Sequence, residues 1–231
     1  MNPTPRFYPV VLAVFVTALV VSNFIAVKLV ILAGLSLDAA VIIFPLSYII
    51  GDVLTEVYGF ARARQAIWTG FFCNLLAVLA VAVALRLPAA PFWVLSGFPS
   101  PQAAQGAYTA VLGWAPRILV ASFAAYVVGE FLNAMILSRL KVRTAGRHLW
   151  LRTIGSTLVG QGADSAVFIT LAFAGVFRGA DLATAILSQW AFKVAYEVLA
   201  TPLTYWVVNT LKRAEGMDVY DREIRFNPLG G

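Results

Sequence analysis

Apolar runs of membrane-spanning length, parted by short polar connectors, follow one another along the whole chain. Crossing about 30 Å of hydrocarbon takes roughly 20 apolar residues in a helix. Six stretches meet that rule: 8–35, 39–58, 66–87, 108–137, 151–177 and 182–211. The connectors support the division. Residues 36–38 make a very short hinge, 60–64 a basic turn, 138–148 a basic loop and 178–181 a tight turn. The stretch 88–106 is rich in Pro, Gly and Ser, and its Phe92 and Trp93 suit a membrane–water interface. The pattern predicts an all-α integral membrane protein. One six-transmembrane-helix bundle should occupy residues 1–211, followed by a polar cytoplasmic tail, 212–231, that is expected to be mobile. The first run far exceeds the apolar core of a signal peptide, about 7–15 residues, and more runs follow it, so no cleavable leader is expected.

Composition agrees. The chain is 61% hydrophobic and 12% charged, against about 45–50% and roughly 25% for a soluble domain. A soluble protein must wet its surface and could not hide so much apolar side chain. The net charge of +6 would suggest nucleic acid in a soluble protein, but its placement decides otherwise. Arg6, Arg62, Arg64, Arg139, Lys141, Arg143, Arg147, Arg152, Lys212, Arg213, Arg222 and Arg225 fall on one side of the predicted bundle, and only Arg86 and Arg178 on the other. By the positive-inside rule both termini are cytoplasmic, in a bacterial inner membrane. Cys73 is the one cysteine and lies in an apolar run, while His148 is the one histidine, so a zinc centre of His and Cys ligands is excluded.

The informative positions are the ionisable residues inside the runs. Asp52, Glu56, Glu130, Asp164, Glu197, Lys28, Arg117 and Lys193 would each cost about 2.5–3.5 kcal/mol at a helix centre, so they should face the bundle interior and find partners. At about 1.5 Å per residue, Asp52, Asp164 and Glu197 fall near the midplane. Lys28, Arg117 and Lys193 lie nearer the outer face, and Glu56 and Glu130 nearer the cytoplasm. Such layers fit a polar binding site, and they equally fit structural ion pairs. Asp52 and Glu56 are four apart and share a helix face with Tyr48 and Thr55. Gln161, Asp164, Ser165 and Phe168 follow an i, i+3, i+4, i+7 pattern. Lys193 and Glu197, also four apart, could pair within one helix. Pro45, Pro116 and Pro202 sit inside or early in runs, where kinks would permit rocking. Asn23, Trp68 and Asn74 either reach the cavity or pack between helices. Six spans allow a three-plus-three inverted repeat in which Asp52 and Asp164 correspond.

Three segments carry a likeness. The second run holds Pro45-Leu-Ser-Tyr48 and Asp52-Val-Leu-Thr55-Glu56-Val-Tyr58-Gly59, then Ala61-Arg62-Ala-Arg64. The fifth holds Gly160-Gln161-Gly162-Ala-Asp164-Ser165. The sixth holds Lys193-Val-Ala-Tyr196-Glu197 and Ala200-Thr201-Pro202-Leu-Thr204-Tyr205. Together they closely resemble the YhhQ family of queuosine precursor transporters, a likeness that runs from Asn23 and Lys28 through the sixth run. The resemblance implies a stand-alone carrier, not an enzyme and without a cofactor. It would import a 7-cyano or 7-aminomethyl 7-deazaguanine base across the inner membrane for tRNA modification. Its candidate substrate-binding residues here are Asn23, Lys28, Tyr48, Asp52, Glu56, Arg117, Gln161, Asp164, Ser165, Lys193 and Glu197. The chemistry fits, because a guanine-like edge gives N1–H and an exocyclic amine to a carboxylate and takes a donor at O6. Asp52, Asp164 or Glu197 could be the carboxylate and Gln161, Lys193 or Arg117 the donor. The expected partners are the small-molecule base and the lipid bilayer, with proton or ion coupling and a homo-oligomer left open, and no nucleic acid or metal.

The arrangement is also similar to the six-helix substrate-binding subunits of energy-coupling-factor transporters. The alternative is therefore a subunit of a multi-component vitamin or purine-like uptake system; the chain has no Walker motif, so ATP use would need another subunit. An intramembrane aspartyl protease is the rival of another class. Gly160-Gln-Gly-Ala-Asp164 has one residue too many for its Gly-x-Gly-Asp motif, and no Tyr-Asp pair precedes it within a run.

Overall fold

The computed structural model of the chain is built from helices most of whose ends fall at glycine or proline. It describes residues 5–25, 28–32, 35–93, 96–113, 116–173, 175, 179–222 and 227. Among these residues there are seven α-helices: α1 (Tyr8–Ile25), α2 (Phe44–Tyr58), α3 (Phe60–Arg86), α4 (Pro101–Leu112), α5 (Pro116–Arg143), α6 (Leu149–Phe173) and α7 (Gly179–Glu215). A hairpin of two antiparallel strands, β1 (Leu29–Leu32) and β2 (Leu35–Asp38), and one 3-10 turn (Ala39–Ile42) join α1 to α2.

The helix boundaries correct the expected spans at several points. The first apolar run does not continue as helix to residue 35. It leaves α1 at Ile25 and folds into the hairpin, with Leu29 opposite Asp38 and Leu32 opposite Leu35. An apolar run alone does not separate helix from buried strand, and Leu-Val-Ile-Leu is rich in strand formers. Pro45 is not a kink inside a span. It sits in the first turn of α2, where its missing N–H costs nothing. The run at 108–137 is divided. Gly113 closes α4 by donating its N–H to the Thr109 carbonyl (2.7 Å), and α5 starts at Pro116. Ser100 caps α4, accepting from the Ala103 N–H at 3.2 Å. The basic loop after the fourth run is largely the last turns of α5, which continues to Arg143.

Contacts between helices follow a simple plan. α2, α5, α6 and α7 form a closed ring, each packed on the next and α7 returning to α2. α1 and α3 cover α2 from outside, α3 also touches α5, and α4 leans on α3. The main apolar core lies where α1, α2 and α3 meet, around Phe15, Val53, Leu54, Val57, Phe60 and Ile67. The other side of α3 shows a stripe of exposed Phe72, Leu76, Leu79 and Val83, which in water would be a liability and in lipid is ordinary. α1, α3 and residues 120–143 of α5 are long and apolar enough to cross a membrane. α4, with 12 residues, reaches about 18 Å and is too short.

Candidate functional site

The inside of the four-helix ring is polar at one level. Asp52 on α2 is 1% exposed, and its Oδ1 accepts from Asn133 Nδ2 on α5 at 2.7 Å. Glu130, one turn before Asn133, is also buried, and its Oε2 lies 3.1 Å from where a side chain on Gly51 would begin. On α6, Gln161 and Ser165 are buried, while Asp164 forms an ion pair with Lys193 of α7. Glu197 of α7 is 2% exposed and lies within electrostatic reach of Asp52, as does Glu130. The Lys193 ammonium sits 5.9 Å from the centre of the Tyr48 ring. Tight packing brings these groups together. A Cβ on Gly129 would meet Asp164 Cβ at 2.7 Å, and one on Gly160 would meet Asn133 Cβ at 2.7 Å, so α5 and α6 approach through glycine.

This band is incompletely satisfied by the chain itself. Asp52 Oδ2, Asn133 Oδ1, Gln161 Oε1, Ser165 Oγ and Glu197 Oε1 are buried with no hydrogen-bonding partner. Buried polar groups are nearly always paired, because each one left over costs roughly 1–3 kcal/mol. Five such atoms lie inside one helix ring, contributed by α2, α5, α6 and α7.

Four residues beyond Asp52 along the chain, towards the α2–α3 corner, the ring is closed by ions. Glu56 of α2 is fully buried and receives a cation from each of the other ring helices. Arg152 of α6 grips it with two bonds of 3.1 and 2.7 Å, Lys212 of α7 lies at 2.7 Å, and Lys141 of α5 at 3.7 Å. Lys141 also donates to the Glu56 carbonyl (2.5 Å) and the Val219 carbonyl (2.6 Å) and pairs with Asp218. Burial pushes the Asp218 carboxyl upward, but the hydrogen bonds from Lys141 and Lys212 outweigh it and hold that group below the ordinary carboxylate range. The start of the tail is thus docked, contrary to the expected mobility. Asp221 is 5% exposed, and its Oδ2 accepts from the Phe60 N–H at 2.8 Å, capping α3 from a distant part of the chain.

The expected site residues therefore divide. Tyr48, Asp52, Gln161, Asp164, Ser165, Lys193 and Glu197 share the band. Glu56 belongs to the ionic closure instead. Lys28 is exposed and lies beyond the end of α1, not within a span. Asn23 lines a separate cavity of about 80 Å³ with Asn74, Val78, Leu85 and Leu112, among α1, α3 and α4. Trp68 stacks on Phe72 and touches Phe71 and Phe131, as a packing residue. The side chain of Arg117 lies outside the described residues. Lys193 pairs with Asp164 across helices. Asn133 was not singled out in the sequence, although it stands one turn from Glu130 in a helix that offers few other polar groups.

A family model described as "Putative vitamin uptake transporter" matches residues 38–207. A "Probable queuosine precursor transporter" of Bacillus subtilis (strain 168) is 30% identical over 81% of this chain and 79% of its own length. A protein of the same description from Haemophilus influenzae is 27% identical over 78% of this chain and 72% of its own. The "Queuosine precursor transporter" of Escherichia coli (strain K12) is 26% identical over 68% and 65%. No solved structure matches the chain. Apolar helices of crossing length, a polar band inside them and a family match over most of the sequence converge: this is a membrane protein that belongs to the vitamin uptake transporter family.

Proposed function

We propose that this chain imports a queuosine precursor, a 7-deazaguanine base, across the bacterial inner membrane by alternating access. α1, α2, α3, α5, α6 and α7 make six crossings with both termini in the cytoplasm. The relatives named as queuosine precursor transporters supply the substrate class. One structural observation carries the site: five buried polar atoms without partners, contributed by α2, α5, α6 and α7. A guanine-like edge gives two donors to one carboxylate, which suits Asp52 or Glu197, and its O6 can accept from the amide of Gln161. Tyr48 and Phe168 supply ring faces from α2 and α6. The ionic closure around Glu56 acts as the inner gate, and the Asp164–Lys193 pair holds α6 to α7 beside the base. The carrier performs no covalent step.

The test is uptake in a host that cannot make queuosine and lacks its own importer. Cells receive 7-cyano- or 7-aminomethyl-7-deazaguanine, and queuosine in tRNA is read by mobility in boronate gels. The parent chain should restore queuosine. Asp52→Asn and Glu197→Gln, at matched membrane levels, should lower uptake roughly tenfold or more, the worth of one charged hydrogen bond. Failure of a well-inserted parent on both bases rejects the reading.

A further inference from the structure

We propose that the band prefers a base bearing a positively charged amine over the same base with a neutral, acceptor-only substituent. This preference rests on the queuosine precursor reading and narrows it. It follows from the kind of atom left unpaired. Asp52 Oδ2 and Glu197 Oε1 are carboxyl oxygens, which accept when ionised. Asn133 Oδ1 also accepts, and its orientation is settled because the Nδ2 of the same amide already donates to Asp52. Gln161 Oε1 is a fourth acceptor, though its amide can turn over to donate. Ser165 Oγ can serve either way. With both acids ionised three buried acceptors await donors, and an ammonium is the partner that favours that ionised form.

The charge balance points in the same direction. Asp52 on α2 lies within electrostatic reach of Glu130 on α5 and Glu197 on α7, and Glu130 within reach of Asp164 on α6. The cation among the described side chains of the band is Lys193, and it is paired with Asp164. Arg152, Lys141 and Lys212 are engaged one turn lower, at Glu56. Asp52, Glu130, Asp164 and Glu197 therefore share a desolvated space whose cation among the described side chains is Lys193, and an incoming positive charge relieves that excess of acids.

A 7-deazaguanine edge brings its N1–H, its exocyclic amine and its pyrrole N–H. An aminomethyl group adds an ammonium with three further donors, since a primary amine keeps its proton at neutral pH. A nitrile at the same position adds a lone pair instead, which meets oxygen lone pairs. The difference is a charge-assisted hydrogen bond or two, so the ammonium base should bind on the order of 10- to 100-fold tighter.

The experiment is equilibrium binding to the purified full chain in detergent. Three probes are compared: 7-aminomethyl-7-deazaguanine, its N-acetyl derivative and 7-cyano-7-deazaguanine. The expected order places the ammonium base well ahead of the other two, because acetylation keeps the reach but removes the charge. Glu197→Gln and Asp52→Asn, each checked for a parental melting temperature, should weaken all three probes through the shared base edge and the ammonium base most, so that the gap shrinks in at least one case. Equal affinities for the three probes, or tighter binding of the nitrile, overturn the preference and leave the transport reading standing. No binding of any probe by a folded chain overturns the transport reading itself, and the preference with it.

Discussion

Asp52 and Glu56 stand one turn apart on α2, and their surroundings assign them different work. Glu56 meets Arg152, Lys141 and Lys212, so both of its oxygens are engaged. Asp52 has one amide partner and one oxygen unpaired. Removing the charge at the two positions should therefore separate stability from uptake. Glu56→Ala leaves three cations packed around a void, and truncating one partner of a buried ionic group costs about 3–5 kcal/mol. Asp52→Asn keeps the shape and an oxygen for the Asn133 amide. Melting in detergent should fall sharply for Glu56→Ala and stay near the parent for Asp52→Asn, whereas uptake should fail in both. A stable, inactive Glu56→Ala would mean that Glu56 touches the substrate. The sequence could place both acids on one helix face, because that needs only a spacing of four. It could not tell them apart, since the partners of Glu56 arrive from α5, α6 and α7, from 85 to 156 residues away.

Among the elements, the corner between α2 and α3 shows how local signals and distant packing combine. A single residue, Gly59, makes the turn at φ 83° and ψ 167°, a region that only glycine occupies readily. A side chain there would also strike Val219 at 2.7 Å. The tail fills the space beside the corner. Asp221 caps Phe60, and Asp218 pairs with Lys141 and Lys212. Glu215 receives the N–H groups of Arg6 and Phe7 and the Tyr58 hydroxyl, at 2.8, 2.6 and 2.9 Å. For Glu215, as for Asp218, burial acts upward, and these hydrogen bonds win, so the folded carboxyl titrates below its ordinary value. The sign follows: a group depressed on folding stabilises the docked tail above its unfolded value, about 4. That contribution disappears as pH falls through the folded value. Amide hydrogen exchange at residues 217–222, corrected for intrinsic rates, should show constant protection from pH 5.5 to 8 and a loss beginning below about pH 4. Unchanged protection at pH 3 would show that apolar contacts such as Val219 against the corner hold the tail without its charges. Of this corner the sequence announced a break between helices but placed it as a basic turn at 60–64, whereas those residues are the first turn of α3 and Gly59 alone makes the corner. The docking was hidden, because polar tail residues look solvated until a partner surface is known. The hairpin after α1 was hidden for the opposite reason: its apolar residues read as more helix.

For the whole molecule, the distribution of basic residues and the lengths of the helices must agree on one threading through the bilayer. If α2 crosses, its 15 residues reach only about 22 Å, so the 3-10 turn and hairpin before it would have to complete the path. α6 and α7 are long enough, but Gln161 and Asp164 in one and Lys193 and Glu197 in the other dilute their apolar character. The residues that form the candidate site are thus the ones that weaken the membrane signal of the helices carrying them. If all six helices cross, position 61 and position 214 share the cytoplasm, and α4 lies outside. Single cysteines test this in a Cys73→Ala background. Gln102→Cys, on the exposed side of α4, should react with a membrane-impermeant maleimide in intact cells. Ala61→Cys and Ala214→Cys, both exposed, should react only after the membrane is opened. Four crossings separate positions 61 and 214 in this threading, so labelling them from opposite sides would remove one helix from the membrane. The only helices polar enough to leave would be α6 and α7, and the ring that encloses Asp52, Gln161 and Glu197 could not then stand inside the bilayer.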